Sequence, residues 1–114
     1  MHFQLAINAH QKGDLVFAKQ MYLLDLENGS KDIFASSFNV GTIELNQGNY
    51  LSAVSYFEKA IEINPTDIAS IANAAICHFR IGALQKAKVL FLKVGEFKHE
   101  VQLWLTDGWV AEDV

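Results

Sequence analysis

Cys77 and His78 set a nucleophile beside a base, and the chain offers little else for covalent chemistry. Neighbours on a helix point about 100° apart, so residues i and i+1 cannot close a hydrogen-bonded nucleophile–base pair. Cys77 reads instead as a small buried residue, and His78 as a side chain packed between helices. His2, His10 and His99 share no helical face. No His-Glu-x-x-His or paired-cysteine spacing is present to hold zinc. Each glycine stands at a helix break or a close contact, and none builds a phosphate-binding loop. Lys86, Lys88, Lys93 and Lys98 precede Glu96, Glu100, Glu112 and Asp113, the pattern of a solvated outer helix face. The expectation is a non-enzymatic protein with no cofactor and no metal.

Composition narrows the remaining classes. Apolar residues make up 51% of the 114, enough to bury a continuous seam, and the formal net charge is −4. Nucleic acid calls for a basic stripe and an anionic membrane surface for a polybasic one. Neither is present, and no run approaches the roughly 18–20 apolar residues of a membrane span. Cys77 is alone, so no internal disulfide can form and a reducing, cytoplasmic setting is expected.

The elements that must position any site announce themselves by repetition. Gly48, Tyr50, Ala53, Phe57 and Ala60 return 34 residues later as Gly82, Leu84, Ala87, Phe91 and Val94. A fainter copy lies 35 residues earlier, as Gly13, Leu15, Ala18 and Tyr22. Self-similarity at this period means stacked helical hairpins, hence a solenoid whose surface grips another polypeptide. Helices are predicted over 2–11, 15–27, 33–46, 50–63, 68–81 and 84–97. Gly13, Gly48 and Gly82 break them, Asn28-Gly29-Ser30 ends the second, and Pro65 cannot continue the fourth. Asp32, and Thr66 or Asp67, are the expected N-caps. A last segment, 100–113, carries Val101, Leu103, Trp104, Leu105, Trp109 and Val110 and reads as a helix closing the stack.

These residues resemble the tetratricopeptide repeat in three and a half copies. The best copy, about 34–67, matches with Gly41, Gly48, Tyr50, Ala53, Phe57, Ala60 and Pro65. The next, about 68–100, matches with Ala75, Gly82, Ala87 and Phe91, and the first, about 1–33, keeps Leu5, Ala6, Gly13, Ala18 and Tyr22. Trp104 and Gly108 carry the half copy. The resemblance implies an all-α domain over 1–114. Its form would be a right-handed superhelical stack of three antiparallel hairpins plus a C-terminal capping helix. Small residues (Ala6, Gly41, Ala75, Ala18, Ala53, Ala87) let paired helices approach, and Tyr22, Phe57 and Phe91 fill the space between hairpins. Ser37 stands where the motif favours Trp, and Glu44 and His78 stand where it favours Tyr. Ser37 and Glu44 put local packing in question.

The family lines a concave groove with the first helix of each hairpin. Carried onto this chain, that implies Phe3, Ile7 and His10, then Ala35, Phe38, Asn39, Thr42, Leu45 and Asn46, then Ala69, Ala72, Asn73, Ile76, Phe79 and Arg80. Each set falls along one helical stripe. Asn39 and Asn73 are 34 residues apart and could hydrogen-bond an extended peptide backbone, while Phe38, Leu45, Ile76 and Phe79 take its apolar side chains. The alternative is that neighbouring hairpins cover these positions and the amides cap local carbonyls. Phe38→Ala with Phe79→Ala is expected to weaken partner capture without unfolding. The co-chaperone subtype is excluded, because its cationic places hold Phe3, Ala69 and Asn73.

The implied function is protein–protein interaction through the groove. Two other readings are a secretion-type translocator chaperone and a structural piece of a longer repeat array that self-associates. A homodimer through the C-terminal helix is expected if Trp109 is exposed.

Overall fold

Glycine breaks and capping residues cut the described part of the chain into six helices. The computed structural model describes residues 1–29 and 31–97. The helices are α1 (His2–Gln11), α2 (Leu15–Glu27), α3 (Ile33–Asn46), α4 (Tyr50–Ile63), α5 (Ile68–Arg80) and α6 (Leu84–Phe97). The expected closing helix over 100–113, with Trp104 and Trp109, lies outside the described residues. One boundary differs from expectation: α5 ends at Arg80, and Ile81 is its C-cap, since the turn at Gly82 claims it.

Each hairpin turns on three residues with the same wiring. In the second, Asn49 N–H reaches back to the Glu44 carbonyl at 2.8 Å, and Gly48 N–H to that of Leu45 at 3.0 Å. This is the Schellman closure, which needs a left-handed residue after the C-cap. Gly48 supplies it at φ +80°, and Gly13 and Gly82 share that conformation. A Cβ on Gly48 would meet nothing within 4 Å, so backbone conformation and not space reserves this place for glycine. Asp14 then caps α2 through Phe17 N–H at 3.2 Å, a cap the sequence reading did not single out. Asp67 caps α5 through Ser70 N–H at 3.0 Å, whereas the Thr66 hydroxyl donates to Asn64 Oδ1. Asp32 sits at the N-cap of α3, although its side chain does not make the capping hydrogen bond.

Gly41 has the opposite reason for being glycine. A Cβ there would lie 2.9 Å from Cε1 of the Phe57 ring. The bare backbone of α3 is therefore what lets Phe57 lie against it, fully buried, inside the second hairpin. Ala6, Ala18, Ala53, Ala75 and Ala87, all fully buried, do the same work elsewhere.

Packing runs along the chain. Every helix packs on the next, and α3 also touches α5. Buried apolar residues fall into three successive clusters centred on Tyr22, Phe57 and Phe91. The body measures 44 × 24 × 22 Å, which suits a stack rather than a bundle around one centre.

The two places whose packing was in question resolve differently. Glu44 is 3% exposed, with Oε1 2.7 Å from Lys19 Nζ on α2. The contact is a charge pair between hairpins. Ser37 is fully buried and its hydroxyl has no partner among the described residues. His78 is buried as expected, with Nε2 3.5 Å from Glu58 on the preceding hairpin.

Candidate functional site

The expected groove residues sit on the first helices of the three hairpins, α1, α3 and α5. Phe3 and Ile7 on α1 pack over the first cluster, Phe38 and Leu45 on α3 over the second, and Ile76 and Phe79 on α5 over the third. All six are half-buried, as are Asn39, Thr42 and Asn73; Arg80 is exposed. Of the outlying positions, His10, Ala35 and Ala72 are half-buried, and Asn46 and Ala69 are exposed.

Ring contacts hold much of this surface in place. The Phe3 ring lies 6.1 Å from that of Tyr22. Phe38 stacks on Phe34 at 6.2 Å and meets Phe57 edge-on at 5.7 Å. Phe38 is thus part of the packing around Phe57 while remaining half-buried. Phe38→Ala would therefore cost some stability, which is compatible with the expected Phe38→Ala and Phe79→Ala pair staying folded. The Thr42 hydroxyl donates to the Phe38 carbonyl at 3.0 Å within its own helix, so it offers little to a ligand.

The two asparagines are not equivalent. Asn39 Nδ2 donates to Tyr22 Oη at 3.2 Å, across the boundary between hairpins. Tyr22 Oη also lies 2.9 Å from His10 Nδ1. With Nδ1 as acceptor, the series Asn39 to Tyr22 to His10 has one proton per link. Burial pushes the Tyr22 hydroxyl above its ordinary value, against the pull of the Asn39 bond, so it stays protonated near neutrality. Asn73 repeats Asn39, but the residue in Tyr22's place is Phe57, which has no hydroxyl. Among the described residues the Asn73 amide forms no side-chain hydrogen bond. Tyr and Phe are interchangeable in the repeat pattern, which is why this difference was not legible beforehand.

The reactive candidates come out as packing. Burial pushes the Cys77 thiol up to about 11, which leaves it protonated and unreactive near neutral pH. Among the described residues no group of three or more His, Cys, Asp or Glu could hold a metal ion. No described helix is long and apolar enough to cross a membrane.

Among the described residues, clefts open at places apart from the expected groove residues. One, of about 340 Å³, is lined by Glu58, His78, Gln85, Lys86, Val89 and Leu90. The other, of about 480 Å³, is lined by residues of the second turn and the start of α4, with Glu44 and Ile81. None of the expected groove residues lines either.

Comparison with known proteins agrees with the hairpin wiring. The family model for the tetratricopeptide repeat matches residues 44–104, more than half of the chain. No curated protein matches it. With six helices in paired register among the described residues, a left-handed glycine at each of their hairpin turns and this match, the chain belongs to the tetratricopeptide repeat family, a class of protein–protein interaction module.

Proposed function

We propose that α1, α3 and α5 together hold an extended peptide or a helix of a partner protein, with no chemistry performed on it. What supports this reading is one observation. On three successive first helices, apolar side chains in matching register pack downward yet keep part of their surface in water. Phe3, Ile7, Phe38, Leu45, Ile76 and Phe79 form this series. Such side chains supply contact area with little further ordering, because the rings beneath already fix them. Asn73 adds an amide able to donate to and accept from a backbone, and exposed Arg80 adds a cation at the third hairpin. Asn39 is a support for Tyr22 in this account and contributes less to the ligand. The polar end of the site therefore lies on α5.

The test is peptide selection against the whole chain, followed by affinity measurement with variants that spare the core. Asn73→Ala with Arg80→Glu should weaken the selected peptide about tenfold or more, at an unchanged melting temperature. Unchanged affinity in that double variant would remove the groove from the account.

A further inference from the structure

His10 and Tyr22 depart from the later repeats together. His10 stands where the next two first helices carry Leu45 and Phe79, and Tyr22 where the next two second helices carry Phe57 and Phe91. The later places are all apolar, so packing alone asks for no polar group at either. In the first hairpin the two polar groups meet. His10 Nδ1 lies 2.9 Å from Tyr22 Oη, and the rings cross edge-on at 77° with centroids 5.8 Å apart.

These bonds fix which ring nitrogen carries the proton. Tyr22 is fully buried, and its oxygen already accepts from Asn39 Nδ2 at 3.2 Å. The hydroxyl hydrogen then needs an acceptor of its own, since a buried donor left unpaired costs free energy. Among the described residues His10 Nδ1 is the acceptor in reach. A neutral imidazole that accepts at Nδ1 carries its hydrogen on Nε2. Nε2 meets no partner among the described residues and is not enclosed by them, and His10 is half-buried.

We infer that His10 Nε2–H is the polar contact of the first hairpin with the bound partner segment, and that it selects an oxygen acceptor there. This rests on the groove reading above, in which His10 is one of the outlying positions. A neutral ring held in this way donates at Nε2 and cannot accept, so an N–H or ammonium group brought to it would stay unpaired. Tyr22 and Asn39 are positioning residues: they set the ring through its other nitrogen and touch no ligand.

One test needs no ligand. Imidazole nitrogen shifts of the isotope-labelled chain in mildly alkaline buffer should show His10 in the Nε2–H form. Tyr22→Phe, which copies Phe57, should lose that preference with the helical circular dichroism retained. The Nδ1–H form in the unaltered chain overturns the inference. The second test uses a peptide selected against the whole chain. His10→Asn keeps an acceptor near the place of Nδ1 and removes the Nε2 donor, and should weaken binding about three- to tenfold. His10→Gln returns an N–H near the place of Nε2 and should bind within about twofold of the unaltered chain. Equal losses in the two variants would assign the effect to ring packing and overturn the inference. If His10→Asn binds undiminished while the peptide shifts amides along α1, α3 and α5, the inference falls and the groove reading stands. A peptide that shifts none of those helices removes both.

Discussion

The boundary between the first and second hairpins is polar and directional, and the boundary between the second and third is mostly apolar. At the first, the Ser36 hydroxyl donates to buried Asp25 at 2.6 Å, Lys19 meets Glu44, and Tyr22 joins His10 to Asn39. At the second, Ala53, Val54 and Phe57 pack with Ala74 and Cys77, and the one polar contact described is His78 with Glu58 at 3.5 Å. The same register places serve opposite ends. Ser70 repeats Ser36, but its hydroxyl donates to Asp67 within its own helix cap at 2.6 Å. Asp25 stands where the later repeats have Ala60 and Val94. One scaffold thus tolerates two ways of joining hairpins, because small residues set the approach and the remaining places are open to either chemistry.

Truncating the apolar boundary should have the largest effect. Phe57→Ala removes a fully buried ring that also supports Phe38, and should cost about 3–5 kcal/mol in urea unfolding. A cost below that of an ordinary surface change would mean the second boundary is not built on this ring.

The polar boundary should answer to pairs rather than to single residues. Asp25→Ala leaves the buried Ser36 hydroxyl unsatisfied, and should cost about 1–3 kcal/mol. Asp25→Ala with Ser36→Ala turns this contact into the kind found at the second boundary, and should recover most of that loss. If the double variant is as unstable as the single one, the two boundaries are not interchangeable.

Acid should loosen the first boundary. Burial pushes the Glu44 carboxyl up, but Lys19, Ser52 and Asn49 outweigh it and hold the group below its ordinary value of 4.5. A carboxyl lowered by folding contributes stability above its unfolded value, and that contribution is lost as pH falls through the folded value. Melting temperature should therefore decline below about pH 4.5, and Glu44→Gln should flatten that decline. An identical acid profile in Glu44→Gln would assign the loss to other groups.

The smallest effect expected is a gain. Ser37 is fully buried without a partner, at the place Ile71 fills in the third hairpin. Ser37→Ala should raise stability by about 1 kcal/mol.

Helix bounds were legible because the residues that end helices act locally. A glycine at φ +80° or a proline works through its own backbone, wherever the chain then goes. The groove residues are expected from the resemblance to the repeat family, while Gly41 followed from its small-residue rule and is seen against Phe57. What was not legible depends on pairing across a boundary. Asp25 gives no sign that Ser36 will meet it, and Glu44 looked like a packing fault until Lys19 lay against it. The split between Asn39 and Asn73 rests on a single hydroxyl, that of Tyr22.

The central claim is that partners lie along α1, α3 and α5. Its most direct test is to map backbone amide shifts of the labelled chain as a selected peptide is added. The account predicts changes that follow Ile7, Leu45, Asn73 and Phe79 across all three first helices. Changes confined to α2, α4 and α6 would contradict it.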